Sequence, residues 1–165
     1  YDTVSGEMID LSQRIGLLDR KLRVVSENND NKDEWIKWAK KSYQNIYGYD
    51  WQGDNVLLAR ENLLFTFIDY YKATYGEKPE IKVLHDIAKI LSWNIWQMDG
   101  LKFVIPNSCK DVEDIQLTLF DIKGEKKPCP GCAKNDPHSH TGEYCIIKDW
   151  KKNKKVPFIS ILKKI

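Results

Sequence analysis

Hydrophobic positions recur at helical spacing along much of the first ninety residues. Between Glu7 and Val25, the residues Met8, Ile9, Leu11, Ile15, Leu18 and Leu22 form a broad apolar stripe. That stripe predicts an amphipathic helix, weakened by Gly16. Ser26 to Lys32 is rich in Asn and Asp, which favour turns. Asp33 then stands as the N-cap of a helix carrying Trp35, Ile36, Trp38 and Ala39. From Ser42 to Tyr49 the pattern turns aromatic and β-branched, predicting a short buried strand that ends at Gly48-Tyr49-Asp50. Asp54 opens a long amphipathic helix with Val56, Leu57, Ala59, Leu63, Leu64, Phe67, Ile68 and Tyr71 on its inner face. Gly76 and Pro79 close it and allow another helix over Glu80 to Leu91. Asn94 to Met98 reads as a second strand, closed by Asp99-Gly100.

Strand, helical crossover, strand is the signature of a βαβ unit in a parallel sheet, so the fold class is α/β. Leu101 to Ile165 is less regular, with a returning strand expected at Val156 to Leu162. At 165 residues, with 42% hydrophobic and 30% charged residues and a mean hydropathy of −0.54, the chain can bury a sizeable core. No apolar run approaches the roughly 18 residues that span a bilayer. The start of the chain carries no signal-peptide pattern, so the expectation is a cytoplasmic protein without membrane contact. The net charge of +2 excludes little, but its distribution matters. Lys148, Lys151, Lys152, Lys154, Lys155, Lys163 and Lys164 are opposed only by Asp149. Such a stretch is either a solvated lysine face or a track for phosphates.

Four cysteines in a reducing compartment do not point to disulfides. Cys129-Pro130-Gly131-Cys132 is a Cys-x2-Cys knuckle in which Pro and Gly turn two sulfurs toward each other. His138, His140 and Cys145 follow. Cys129, Cys132, His140 and Cys145 would make a closed, tetrahedral, structural zinc site. His140 is the better histidine, because Thr141-Gly142 can turn the chain back to the knuckle, and His138 remains the alternative. Cys109 stands apart and reads as a buried or unpaired thiol. His85, amid Val83, Leu84 and Ile87, reads as a structural histidine. No Gly-x-x-x-x-Gly-Lys loop occurs.

In open parallel sheets ligands sit beyond the carboxyl ends of strands, where Asp50 and Asp99 fall. Both also suit helix caps and turns. The run Asn45-Ile46-Tyr47-Gly48-Tyr49-Asp50-Trp51-Gln52-Gly53-Asp54-Asn55-Val56, with Ala59-Arg60-Glu61-Asn62-Leu63 after it, resembles the second conserved segment of DNA adenine-N6 methyltransferases of restriction-modification systems. Asn94-Ile95-Trp96-Gln97-Met98-Asp99-Gly100-Leu101 resembles the third. Glu7-Met8-Ile9-Asp10-Leu11 and Arg20-Lys21-Leu22 are similar to the helices flanking that family's glycine-rich first motif.

The resemblance covers most of residues 6 to 104. It implies a Rossmann-like methyltransferase sheet with S-adenosylmethionine as cofactor, and DNA and other segments of the same parent protein as partners. Asp50 would hold the ribose, Asp99 the adenine, and Trp51 would flank the adenine or pack at the strand end. The glycine-rich motif and the catalytic Asn-Pro-Pro-Tyr motif are both absent from the sequence. The chain alone is therefore expected to transfer no methyl group, and no catalytic residue is assigned. It would be a fragment, a chain lacking internal residues of its parent, or a degenerate relative. On this reading residues 1–108 are a partial methyltransferase-like domain, 109–150 a zinc-knuckle-like insertion, and 151–165 a returning strand and basic tail. The alternative is a non-enzymatic zinc module that binds nucleic acid or protein.

Overall fold

Gly16 decides where the first helix starts. In the computed structural model, which describes residues 4–117 and 122–161, α1 is Leu17–Asn28 with Gly16 as its extended N-cap. The expected helix over Glu7 to Gly16 does not form. Met8 and Ile15 remain 60% and 77% exposed, so a longer stripe would bury nothing, and glycine opposes the helix. This segment instead turns on itself through Gln13 N–H to Asp10 O at 2.9 Å and Arg14 Nε to Ile9 O at 2.9 Å.

Helix α2, Lys32–Gln44, is capped by Asn31 rather than Asp33. The Asn31 side chain accepts the N–H groups of Asp33 and Glu34 at 2.9 and 3.1 Å. The helix continues through Ser42-Tyr43-Gln44, where a strand was expected, and β1 is only Gly48–Asp50. Tertiary burial overrides local propensity here. Tyr43 is 2% exposed and its hydroxyl donates to Leu63 O at 2.7 Å, an arrangement that holds on a helix face. Helix α3 is Gly53–Tyr75, α4 is Ile81–Asn94, and β2 is Ile95–Gln97.

The chain divides into two compact units. The first comprises Tyr1–Gly48 and Leu57–Ile95, the second Tyr49–Val56 and Trp96–Ile165. The helical first unit centres on fully buried Trp35, whose ring lies 5.6 Å from Phe67 and 5.7 Å from Tyr71. Leu22, Ala39 and Ile87 are fully buried in the same unit, while Leu57 of α3 stays exposed, contrary to the expected inner face. Asn94, wholly buried, donates to Tyr43 O and Ile46 O at 3.0 and 2.9 Å, satisfying carbonyls at the end of α2. His85 lies exposed on α4.

Strand β1 pairs with β2. The Met98 N–H donates to Asp50 O at 2.9 Å and Gly48 faces Ile95, so positions rise together along both strands, as in a parallel pair. Among the described residues the strands form three two-stranded sheets, and no Rossmann-like sheet is present. Three-residue strands with no third strand beside them leave the chain mixed α/β with small sheets. The second unit adds the antiparallel hairpins β3, Val112–Leu117, with β4, Ile122–Lys127, and β5, Ile146–Asp149, with β6, Lys154–Pro157. The expected strand over Val156 to Leu162 is thus shifted. It ends at Pro157, a short 3-10 turn covers Phe158–Ile161, and Leu162, Lys163 and Lys164 lie outside the described residues. Trp96, Met98, Cys145 and Ile147 form this unit's core, with Phe103, Val156 and Phe158 packed on it. No helix among the described residues is long and apolar enough to cross a membrane.

A candidate metal centre

The knuckle is built by short-range backbone chemistry. Cys129 caps the short helix α5, Pro130–Lys134, and Pro130 starts it where no N–H is needed. Asn135 ends it in the left-handed conformation, its N–H returning to Gly131 O. The chain then doubles back, with Gly131 N–H donating to Ser139 O at 2.9 Å. His140 lies directly over the knuckle. A Cβ on Gly131 would fall 2.6 Å from His140 Nδ1, so only glycine admits the ring. Tyr144 fixes this return by accepting the His140 N–H at 3.0 Å and donating to Pro137 O at 2.9 Å.

Cys109 arrives from a segment some twenty residues earlier. Thr141 and Lys110 clamp it reciprocally: Lys110 N–H donates to Thr141 Oγ1 at 3.0 Å, and that hydroxyl donates to Lys110 O at 2.7 Å. Glu143 N–H to Ser108 Oγ at 3.1 Å and Ile105 N–H to Glu143 O at 2.8 Å extend the seam. Gly142 permits the approach, since a Cβ there would lie 3.1 Å from Cys109 N.

The outcome is a group of Cys109, Cys129, Cys132 and His140 whose ligand atoms all lie within 4.8 Å of one another and could hold a metal ion. His140 Nδ1 is 3.6, 3.6 and 3.7 Å from the sulfurs of Cys109, Cys129 and Cys132. One ring nitrogen carries at most one proton, which can point at one sulfur only. Three near-equal distances are therefore the edges of a polyhedron about a shared centre rather than three hydrogen bonds.

Cys145, expected as the fourth ligand, is replaced by Cys109. The spacing argument weighed sequence proximity, but strand β5 begins at the next residue and turns Cys145 into the apolar core. There it is 5% exposed, its thiol meets Gln97 O at 3.5 Å, and burial pushes it up to about 11. His138 stays exposed, its N–H donating to Asp136 Oδ1. The sequence held one clue to Cys109, the Ser108-Cys109 and Thr141-Gly142 pairs, but their contact spans 31 residues and has no local signature.

The electrostatics of the cluster are those of sulfurs crowded together. Burial opposes ionisation of Cys129, yet hydrogen bonds from Thr141, with those from the Cys132 backbone and His140, outweigh it and bring the thiol down to about 5. The Thr141 N–H lies 3.2 Å from this sulfur. Burial and the Cys129 and Cys132 sulfurs push Cys109 up to about 11. Three thiols so close cannot all ionise without a cation among them. Lys102 adds positive charge from the side, and the Cys132 sulfur is the largest cause of its raised pKa, ahead of Asp99.

The two acidic strand ends are used locally. Asp50, half-buried, accepts Gln52 N–H at 2.7 Å and the Asn55 side-chain amide at 3.3 Å through Oδ1, holding the turn that leads into α3. Asp99, 4% exposed, accepts Leu101 and Lys102 N–H at 3.0 and 3.2 Å, with Lys102 Nζ 3.7 Å away. Trp51 is 44% exposed, and its carbonyl accepts Gln97 Nε2 at 2.9 Å. Comparison with protein-family models, curated proteins and solved structures returns no match.

Proposed function

We propose that Cys109, Cys129, Cys132 and His140 hold a structural zinc ion. The observation that carries this is the set of three near-equal Nδ1–sulfur distances. A tetrahedral zinc with Zn–S of about 2.3 Å and Zn–N of about 2.0–2.1 Å separates N from S by about 3.5–3.6 Å. The observed 3.6–3.7 Å matches that edge. Three thiolates and one imidazole complete a closed coordination sphere with no open position, which favours a structural role over catalysis. The test is elemental analysis of protein purified without chelator. One zinc per chain is expected, lost in Cys109→Ser and kept in Cys145→Ser. Zinc lost from Cys145→Ser and kept by Cys109→Ser would refute the ligand set.

We infer further that the chain works as a portion of an S-adenosylmethionine-dependent DNA adenine-N6 methyltransferase. The resemblance of the two acidic segments supports this reading, and one observation favours it beyond the sequence. The Met98 N–H to Asp50 O hydrogen bond brings β1, which ends at Asp50, beside β2, with Asp99 two residues past its end, and ligands of α/β sheets bind beyond such strand ends. A carboxylate has about four lone-pair sites, so an Asp that holds a turn through one oxygen can still accept ribose hydroxyls through the other. Calorimetric titration with S-adenosylmethionine should give saturable heat, weakened at least tenfold by Asp50→Asn, which keeps the oxygen that accepts the Gln52 N–H. The chain alone should methylate no duplex DNA, because the glycine-rich and Asn-Pro-Pro-Tyr motifs are absent from it. Absence of binding by the parent chain would remove the cofactor assignment.

A further inference from the structure

The four cysteines differ in how far solvent reaches them. Cys132 is exposed, Cys109 is partly covered, and Cys129 and Cys145 are buried. Cys145 belongs to the apolar core and not to the group of ligand atoms. Position along the chain separates the other three again. Cys129 is the N-cap of α5 and Cys132 is its third residue. Residues three apart on a helical turn are neighbours, so the two side chains share one side of the turn. Cys-x2-Cys is also a spacing at which two thiols close to a disulfide. Cys109 comes from a separate segment, and the reciprocal hydrogen bonds of Lys110 with Thr141, at 3.0 and 2.7 Å, restrain its approach to Cys132.

We propose that this centre is a reversible redox clip, in which a peroxide oxidises Cys132 and Cys129 to a disulfide and the metal is released. The proposal rests on the zinc reading above and concerns the regulation of that same site. The Cys132 thiolate, the one that solvent reaches, attacks a peroxide oxygen. The O–O bond breaks, hydroxide leaves, and Cys132 becomes a sulfenic acid. The Cys129 thiolate then attacks that sulfur, an S–S bond forms, and a second hydroxide leaves. Together the two sulfurs lose two electrons, the peroxide oxygens gain them, and solvent protons turn both hydroxides to water. Cys109 and His140 remain as ligands, two where a structural zinc takes four, so the ion leaves. A thiol reductant reverses the step by exchange, restoring both thiols and ending as its own disulfide. The segments around Cys109 and His140 then keep their hydrogen-bonded seam but lose the metal that ties both to the knuckle.

The test uses the full zinc-loaded chain, treated with hydrogen peroxide while a chromogenic chelator records zinc release. Alkylation and tryptic mapping then locate the disulfide, since Cys129 and Cys132 share peptide 127–134 and Cys109 lies in another. Zinc should be released with both cysteines of that peptide protected from alkylation. Dithiothreitol and fresh zinc should restore metal binding. Cys132→His keeps a fourth donor without the accessible sulfur, so release should slow at least tenfold. Cys145→Ser should release zinc at the parent rate. Where the histidine variant holds no zinc, the peptide map of the parent decides. A disulfide that includes Cys109 would overturn the proposal, as would conversion of Cys132 to a sulfinic acid with no disulfide formed. So would zinc retained while Met8, 60% exposed, becomes its sulfoxide. A chain that carries no zinc before treatment fails the zinc reading itself, whereas zinc held and then retained under peroxide fails this proposal alone.

Discussion

At the scale of single residues, one glycine and two cysteines carry the strongest expectations. Gly131 lacks the atom that would collide with the His140 ring, so Gly131→Ala should expel the histidine from the cluster. Zinc affinity should fall at least tenfold, read by chelator competition, whereas an alanine variant with parental affinity would show that the ring can yield. Cys145 and Cys109 make a paired test of location. Cys145→Ser sets a hydroxyl in the apolar core and should cost about 1–3 kcal/mol with zinc retained, whereas Cys109→Ser should lose the metal. Tyr43 supplies a pH effect. Burial, the largest cause, raises its pKa well above the ordinary value of 10.0. A raised folded-state pKa means that its stabilisation is complete below the unfolded pKa and is lost as pH climbs past it. Denaturant midpoints should therefore drop above pH of about 10. Tyr43→Phe should flatten that decline without abolishing it, because burial raises Tyr70 and Tyr75 in the same direction.

At the scale of elements, ends matter more than middles. Helix α2 begins where Asn31 accepts two N–H groups, and the turn leading into α3 is held by Asp50, whose Oδ1 accepts the Gln52 N–H and the Asn55 side-chain amide. Removing that contact with Asp50→Ala should cost about 0.5–1.5 kcal/mol, and Asp50→Asn much less. Chemical denaturation of the pair separates this turn-holding role of Asp50 from any part it plays in holding a cofactor. At the other end of the same crossover, buried Asn94 donates to the Tyr43 and Ile46 carbonyls. Asn94→Leu removes both hydrogen bonds and should destabilise by about 0.5–1.5 kcal/mol for each. A near-neutral result would mean that water or a backbone shift replaces the amide.

At the scale of the molecule, the two units are stabilised differently. The first holds its helices by burying aromatic rings around Trp35. The second has a modest apolar core and gathers three distant stretches, around residues 109, 129–132 and 140, at one group of ligand atoms. A metal that binds only the folded arrangement adds its binding energy to folding. Chelation should thus remove amide-exchange protection from residues 105–110 and 129–145. Amides of α2 and α4 should keep theirs, and hydrogen-exchange mass spectrometry resolves the two sets of peptides. Equal loss in both would contradict this division.

The sequence by itself marked the four helices of the first ninety-odd residues, though not the start of the first or the end of the second, along with the knuckle at Cys129 and Cys132 and the return of His140. Each depends on contacts between near neighbours or on a periodicity readable within one segment. It also marked Asp50, which ends β1, and the turn at Asp99, which lies two residues past β2, because turns announce themselves locally. What only the tertiary structure decided were contacts across long separations. Tyr43 became helical because a carbonyl of α3 and a buried aromatic cluster lay waiting for it. The β3–β4 hairpin brings Val112 opposite Lys127 and Leu117 opposite Ile122, a pairing across a turn that no single strand announces. Cys109 exchanged roles with Cys145 because a strand beginning at Ile146 buries the nearer sulfur, while a threonine clamp 31 residues away delivers the farther one. Local pattern specifies elements, but which sulfur meets which nitrogen depends on how the backbone closes over distance, where no single segment carries the information.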